Sequence, residues 1–81
     1  MRLKVVYFAT ARDASGRKEE SIILNGAHKV SDLAKRIREI HPGLRTIEKS
    51  IRFAVNFEIA DGNTLLHEGD EVGVLPAITG G

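Results

Sequence analysis

The chain has 81 residues, 42% of them hydrophobic and 28% charged, with a formal net charge of +1. A chain this short buries only about 60–65% of the surface its unfolded form exposes, so it makes one core with little room for an enclosed active-site cavity. The near-neutral charge argues against a nucleic-acid or anionic-membrane partner, and the absence of cysteine removes disulfides, thiol catalysis and thiolate metal sites.

Leu3 to Ala9 is rich in β-branched and aromatic residues and predicts a first strand. Asp13 to Lys18 carries turn chemistry, and Glu20 to Leu24 predicts a second strand. The opening therefore reads as a β-hairpin with a long loop, closed off by Asn25-Gly26. Ser31 is the expected N-cap of a helix, with Asp32 suited to the positive end of its dipole. Leu33, Ile37 and Ile40 share one face of that helix with Ala34 beside them, and Pro42-Gly43 ends it near His41. Leu44 to Ser50 reads as a short turn of helix leading back to the sheet. Ile51, Phe53, Val55 and Phe57 alternate strictly, the pattern of a half-buried strand. Asp61-Gly62-Asn63 and Glu68-Gly69-Asp70 are turns, with a short strand or bridge at Thr64 to His67 between them. Glu71 to Leu75 is the last strand, ended by Pro76, which has no N–H for a ladder. The expected organisation is a domain over 1–76 and a flexible tail over 77–81.

This order predicts an α+β domain, a mixed sheet of four to five strands with one main helix packed on one face. A helix of about 11 residues is ~16 Å long and covers one sheet face, not two. The other face must meet solvent or a partner. Alternation puts Leu3, Val5 and Tyr7 on one side of the first strand and Lys4, Val6 and Phe8 on the other. In the last strand it separates Val72 and Val74 from Glu71, Gly73 and Leu75. The sets holding Lys4 and Glu71 are the outer ones, which leaves Val6, Phe8 and Leu75 as apolar groups on the open face. Phe8 and Leu75 are neighbours there if the two strands run side by side and parallel. They are expected to form a docking surface where the tail departs; the alternatives are the opposite assignment of faces, or a loop that covers them.

Other constellations carry less. Asp70 and Glu71 are adjacent in a turn and strand, where successive side chains diverge, which favours a turn-and-strand role over a catalytic pair. His28, His41 and His67 lack metal-ligand spacing. Gly26, Gly43, Gly62 and Gly69 are turn glycines without a P-loop lysine. Arg12 is a candidate partner contact, with a surface ion pair as the plainer reading.

Taken together, several of these residues carry a resemblance. Lys4-Val5-Val6-Tyr7-Phe8-Ala9 with Arg12 nearby, the amphipathic helix, Ala54-Val55-Asn56, Gly69-Asp70-Glu71-Val72, Pro76 and the final Thr79-Gly80-Gly81 follow one another as in a known family. The chain resembles, over essentially its whole length, the small subunits of molybdopterin synthase, sulfur carriers with the ubiquitin-like β-grasp fold. It departs from them at Val74-Leu75, where the family often has a more aromatic segment.

The resemblance implies that the Gly81 carboxylate is the working group. A partner adenylyltransferase resembling ubiquitin-activating enzymes would adenylate it with ATP, and it would then become a thiocarboxylate. The large synthase subunit would take up that sulfur to build the dithiolene of molybdopterin, in an assembly of two large and two small subunits. No tightly bound cofactor or metal is implied, nor a nucleic-acid or membrane partner, and the expected location is cytoplasmic. Gly80 and Gly81 suit such a role because, without a Cβ, they can thread a narrow channel into two different enzymes. Thr79 and Ile78 belong to the same tail, Ile78 as a partner contact. The alternatives are a carrier or modifier for another pathway (thiamin thiazole, tRNA thiolation, protein conjugation), or a β-grasp interaction module with no covalent chemistry.

Overall fold

A computed structural model describes residues 1–76; the expected tail, with Ile78, Thr79, Gly80 and Gly81, lies outside the described residues. Five strands form one mixed sheet: β1 (Arg2–Tyr7), β2 (Glu19–Ile23), β3 (Ile51–Val55), β4 (Glu58–Ala60) and β5 (Glu71–Pro76). Their spatial order is β2-β1-β5-β3-β4, with the central β1–β5 pair parallel and every other pair antiparallel. The main helix α2 (Val30–Ile40) packs on one face, as expected. A shorter helix, α1 (Ala9–Ser15), and a 3-10 helix (Pro42–Ser50) close one end of the core.

Alternation in the strands builds the covered face. Leu3, Val5 and Tyr7 of β1 and Val72 and Val74 of β5 are fully buried, and Leu33, Ile37 and Val30 of α2 meet them from above. Each such side chain contributes roughly 1.5–3 kcal/mol relative to exposure. The 3-10 helix adds Leu44, also fully buried. Its approach to α1 depends on Gly43, where a Cβ would lie 2.4 Å from the Ala14 carbonyl oxygen.

Three local expectations are corrected. The segment expected as a hairpin loop holds α1, which buries Ala11 and ends on Gly16 at φ 70°, the Gly16 N–H donating to the Arg12 carbonyl at 2.9 Å. The Ser15-Gly16 pair is thus a helix C-terminus, where left-handed glycine is common. In α2, Ser31 is not the cap. The helix starts earlier, and Lys29 takes the capping position, its N–H donating to Asp32 Oδ2 at 2.9 Å. That hydrogen bond holds the Asp32 carboxyl below the usual range. The next amides donate to other carbonyls, Val30 to Thr64 at 2.9 Å and Ser31 to Gly62 at 3.0 Å. Tertiary partners therefore satisfy amides that a hydroxyl would otherwise cap.

The third correction concerns β3, which stops at Val55 instead of running through Phe57. The chain reverses at Asn56-Phe57 and returns as β4, pairing Val55 with Glu58 and Phe53 with Ala60. The expected element at Thr64 to His67 is a single bridge, Lys29 to Leu65.

A polar cluster sits at the edge of this core. The Tyr7 hydroxyl donates to Glu20 Oε2 at 2.6 Å, and His41 Nε2 lies 2.6 Å from the same oxygen. The two rings stand edge to face, with centroids 5.7 Å apart. Burial, then the adjacent Glu20 carboxylate, push the Tyr7 phenol above its usual pKa. Burial alone would raise the Glu20 pKa too, but the bonds from Tyr7 and His41 outweigh it and hold the carboxyl below its usual value. The cluster ties β1 and β2 to the C-terminus of α2.

Candidate functional site

The face opposite α2 is built from the alternate residues of the same strands. Register fixes its middle row: Val6 pairs with Gly73, Gly73 with Ala54, and Ala54 with Ile59. Phe8 follows directly after β1 and is held to β5 by its N–H, which donates to the Val74 carbonyl at 3.0 Å. Its ring lies over Gly73, where a Cβ would come within 3.3 Å of it. Glycine at this position gives the ring a flat floor.

The result is a shallow groove of about 230 Å³, lined by Phe8, Ala54, Phe57, Ile59, Glu71, Gly73 and Leu75. Phe8 is 42%, Ile59 70% and Phe57 88% exposed. Apolar side chains left in water together mark a contact surface more than chance exposure does. On the β1 side the face turns polar, where Lys4 bridges Glu19 at 3.6 Å and Glu71 at 3.8 Å.

The expected docking residues Phe8 and Leu75 meet in this groove, and the parallel β1–β5 pairing places them at one strand end. Val6 shares the face beside Gly73 but does not line the groove. Arg12 lies on α1, with Nε 3.4 Å from the Tyr7 carbonyl oxygen, so it stands near the same end and outside the groove. Gly81, Gly80, Thr79 and Ile78 fall beyond the described residues.

Ala54, Phe57, Ile59 and Gly73 were not singled out from sequence. Strict alternation from Ile51 assigns Phe57 to the covered side, and the short run Glu58–Ala60 gives little sign of a strand. The available signal was Asn56, a residue suited to a hairpin turn. Its side chain joins β3 to the start of β5: Nδ2 donates to Asp70 Oδ1 at 2.9 Å, and Oδ1 accepts from the Glu71 N–H at 3.0 Å. Asp70 Oδ2 accepts in turn from the His67 N–H at 2.8 Å. Asp70 and Glu71 thus secure a turn.

Among the described residues, no group of three or more His, Asp or Glu side chains is placed to hold a metal. No helix there is long and apolar enough to cross a membrane.

A mixed sheet of this order, with one helix across it and an apolar open face at the strand ends, defines a ubiquitin-like β-grasp protein. The chain belongs to the ThiS family, whose pattern it matches over residues 5–81. In sequence it is similar to the molybdopterin synthase sulfur carrier subunit of Chlamydomonas reinhardtii, 38% identical over 84 residues that span both chains completely. The corresponding subunit of Homo sapiens is 36% identical over 83 residues, 99% of this chain and 94% of that one.

Solved structures agree. A Pyrococcus furiosus protein described as molybdopterin converting factor subunit 1 superposes with a TM-score of 0.88 at 30% identity, covering 96% of this chain and 99% of its own. Small archaeal modifier protein 1 of Methanosarcina acetivorans gives 0.77 at 33% identity, covering 99% and 96%. A chain of the complex of subunits 1 and 2 of the molybdopterin-converting factor of Helicobacter pylori 26695 gives 0.72 at 26% identity, covering each chain fully.

Proposed function

We propose that the protein is the sulfur-carrying small subunit of a molybdopterin synthase, and that its reactive group is the main-chain carboxylate of Gly81. The observation that carries this reading is the extent of the family match, which runs through the core and on to the last glycine. The open face supports it: Phe8 and Leu75 lie at the strand end from which the chain continues toward Gly80-Gly81.

The chemistry follows from the weakness of a carboxylate as an electrophile. On an activating adenylyltransferase, a Gly81 carboxylate oxygen attacks the α-phosphorus of ATP and pyrophosphate leaves. Sulfide (HS−) then attacks the acyl carbon, AMP departs and a proton is lost, leaving a thiocarboxylate. The large subunit receives the tail, the sulfur bonds to a pterin precursor, and water takes the acyl carbon as the C–S bond breaks, which restores the Gly81 carboxylate. Position decides the rate, because a misplacement of about 1 Å can lower it ~10²-fold. The domain holds the carbon in place by docking through Phe8, Leu75 and Val6, with Arg12 and Ile78 as further contacts and Thr79 and Gly80 as the spacer. A large-subunit partner is supported by the paired subunits 1 and 2 of the Helicobacter relative.

The test is intact mass after incubation with the activating enzyme, ATP and a sulfur donor. Replacement of one oxygen by sulfur is expected, followed by loss of that sulfur when the large subunit and pterin precursor are added. An unchanged mass, or full activity from a chain lacking Gly81, would overturn the proposal. The 33% identity to a small archaeal modifier protein favours one second reading, conjugation to other proteins. It predicts covalent adducts through Gly81 in place of sulfur transfer.

A further inference from the structure

The hairpin between β3 and β4 is closed by Asn56 and Phe57 alone, and both have left-handed backbones, φ 49° and 72°. Such turns favour Asn, Asp or Gly, because in this conformation the Cβ crowds the following carbonyl. Asn56 suits its place and is pinned there. Its N–H donates to the Glu71 carbonyl at 2.7 Å, and its side chain bonds Asp70 at 2.9 Å and the Glu71 N–H at 3.0 Å. Phe57 has no comparable fit. Its ring is 88% exposed, more than any other large apolar side chain among the described residues. Folding gains little from such a ring, yet the backbone is strained to hold it. Strain of this kind points to a use outside the fold.

Phe57 also lines the groove that holds Phe8 and Leu75. The pairing of Val55 with Val72 puts the turn at the start of β5, whereas Leu75 lies near its end. Leu75 lies three residue steps along the strand from Val72, about 10 Å. Contact at Phe8 and Leu75 alone would leave the domain free to pivot. A second contact across the groove fixes its angle, and with it the direction of the tail. The three hydrogen bonds of Asn56 keep the turn in place before binding, so little ordering entropy is lost on contact.

We infer that Phe57 is an aromatic anchor that enters an apolar pocket of the large synthase subunit and sets the docking angle. The inference deepens the proposed function and rests on it. The adjacent exposed Glu58 and the groove-lining Glu71 call for a pocket rim without acidic residues. A buried aromatic at the end of a groove is a common carrier of binding energy.

The test is calorimetric titration with the large subunit of the same organism, using the wild-type chain, Phe57→Gly and Phe57→Asn. Both variants suit the left-handed turn better, so each is expected to keep or raise Tm while weakening Kd at least fivefold. A smaller loss of affinity in both would overturn the anchor. A fall in Tm in both would also overturn it, since the ring would then be packing within the fold. Wild-type chain that fails to bind would sink the functional reading, and the anchor with it. Wild-type binding matched by the variants sinks the anchor alone.

Discussion

The two faces of the sheet are built from alternate residues of the same strands and differ in almost every respect. On the covered face Leu3, Val5, Tyr7, Val72 and Val74 are wholly buried beneath α2. On the open face Gly73 and Ala54 form a low floor, with Phe8, Ile59 and Phe57 partly or largely in water around it. The apolar surface kept from water on one side could have been reduced on the other, and it was not. One face is therefore organised for stability; under the proposed function the other serves contact, and substitutions should separate the two properties.

The largest separation is expected at Leu33, fully buried in α2. Leu33→Ala leaves a cavity under the sheet and should lower stability by about 2–5 kcal/mol. Phe8→Ala should lower it by less than ~1.5 kcal/mol, because the ring is already 42% exposed. Its main effect should be at least tenfold weaker binding to the large subunit. Urea unfolding and calorimetry read the two properties separately. If Phe8→Ala destabilised the fold as much as Leu33→Ala, the division between the faces would be lost.

A smaller effect is expected at Glu20, where the covered side carries polar groups. Glu20→Gln keeps the shape but removes the charge that Tyr7 and His41 bond, so roughly 1–2 kcal/mol should be lost at neutral pH. The folded-state pKa of Glu20 lies below its usual value, so its contribution is present above the usual glutamate pKa. That contribution fades as pH falls through the lower, folded value. The stability gap between wild type and variant should accordingly close in acid, as read by thermal melts from pH 7 to about pH 3. A gap independent of pH would mean that the Glu20 charge contributes nothing, despite its bonds to Tyr7 and His41.

Much of this contrast could be read from the residues alone. The period of two in Leu3 to Phe8 and in Val72 to Leu75 assigned both faces, and it identified Phe8, Leu75 and Val6 before any coordinate. Leu33, Ala34 and Ile37 marked the buried side of α2 in the same way. The failures have a common physical source, since each depends on a distant partner. The start of α2 is set by the carbonyls of Gly62 and Thr64, so Ser31 misled as a cap. The short helix α1 packs against the 3-10 helix through the close approach at Gly43, which no local pattern reveals. Phe57 continued the alternation of β3, but the bonds from Asn56 to Asp70 and Glu71 turn the chain one residue before it. That single reversal moved Ile59 onto the open face and created half of the groove.

The smallest effect is expected at Lys4, which sits on the open face yet makes two ion pairs, with Glu19 and Glu71. Lys4 and Glu19 have side chains more than half exposed, and the distances are long for charge-assisted bonds. Water screens such pairs, and holding long side chains in one geometry offsets what attraction remains. Lys4→Ala should therefore change stability by less than ~0.5 kcal/mol, and by still less at high salt. Its consequence should appear in docking. Without Lys4, Glu71 at the groove wall loses its cation, and association with the large subunit should become more sensitive to salt. Urea melts and titrations at two ionic strengths give both quantities. A loss of stability above ~1 kcal/mol would show that the charged row across β2, β1 and β5 helps hold the sheet together. The open face would then serve the fold as well as the partner.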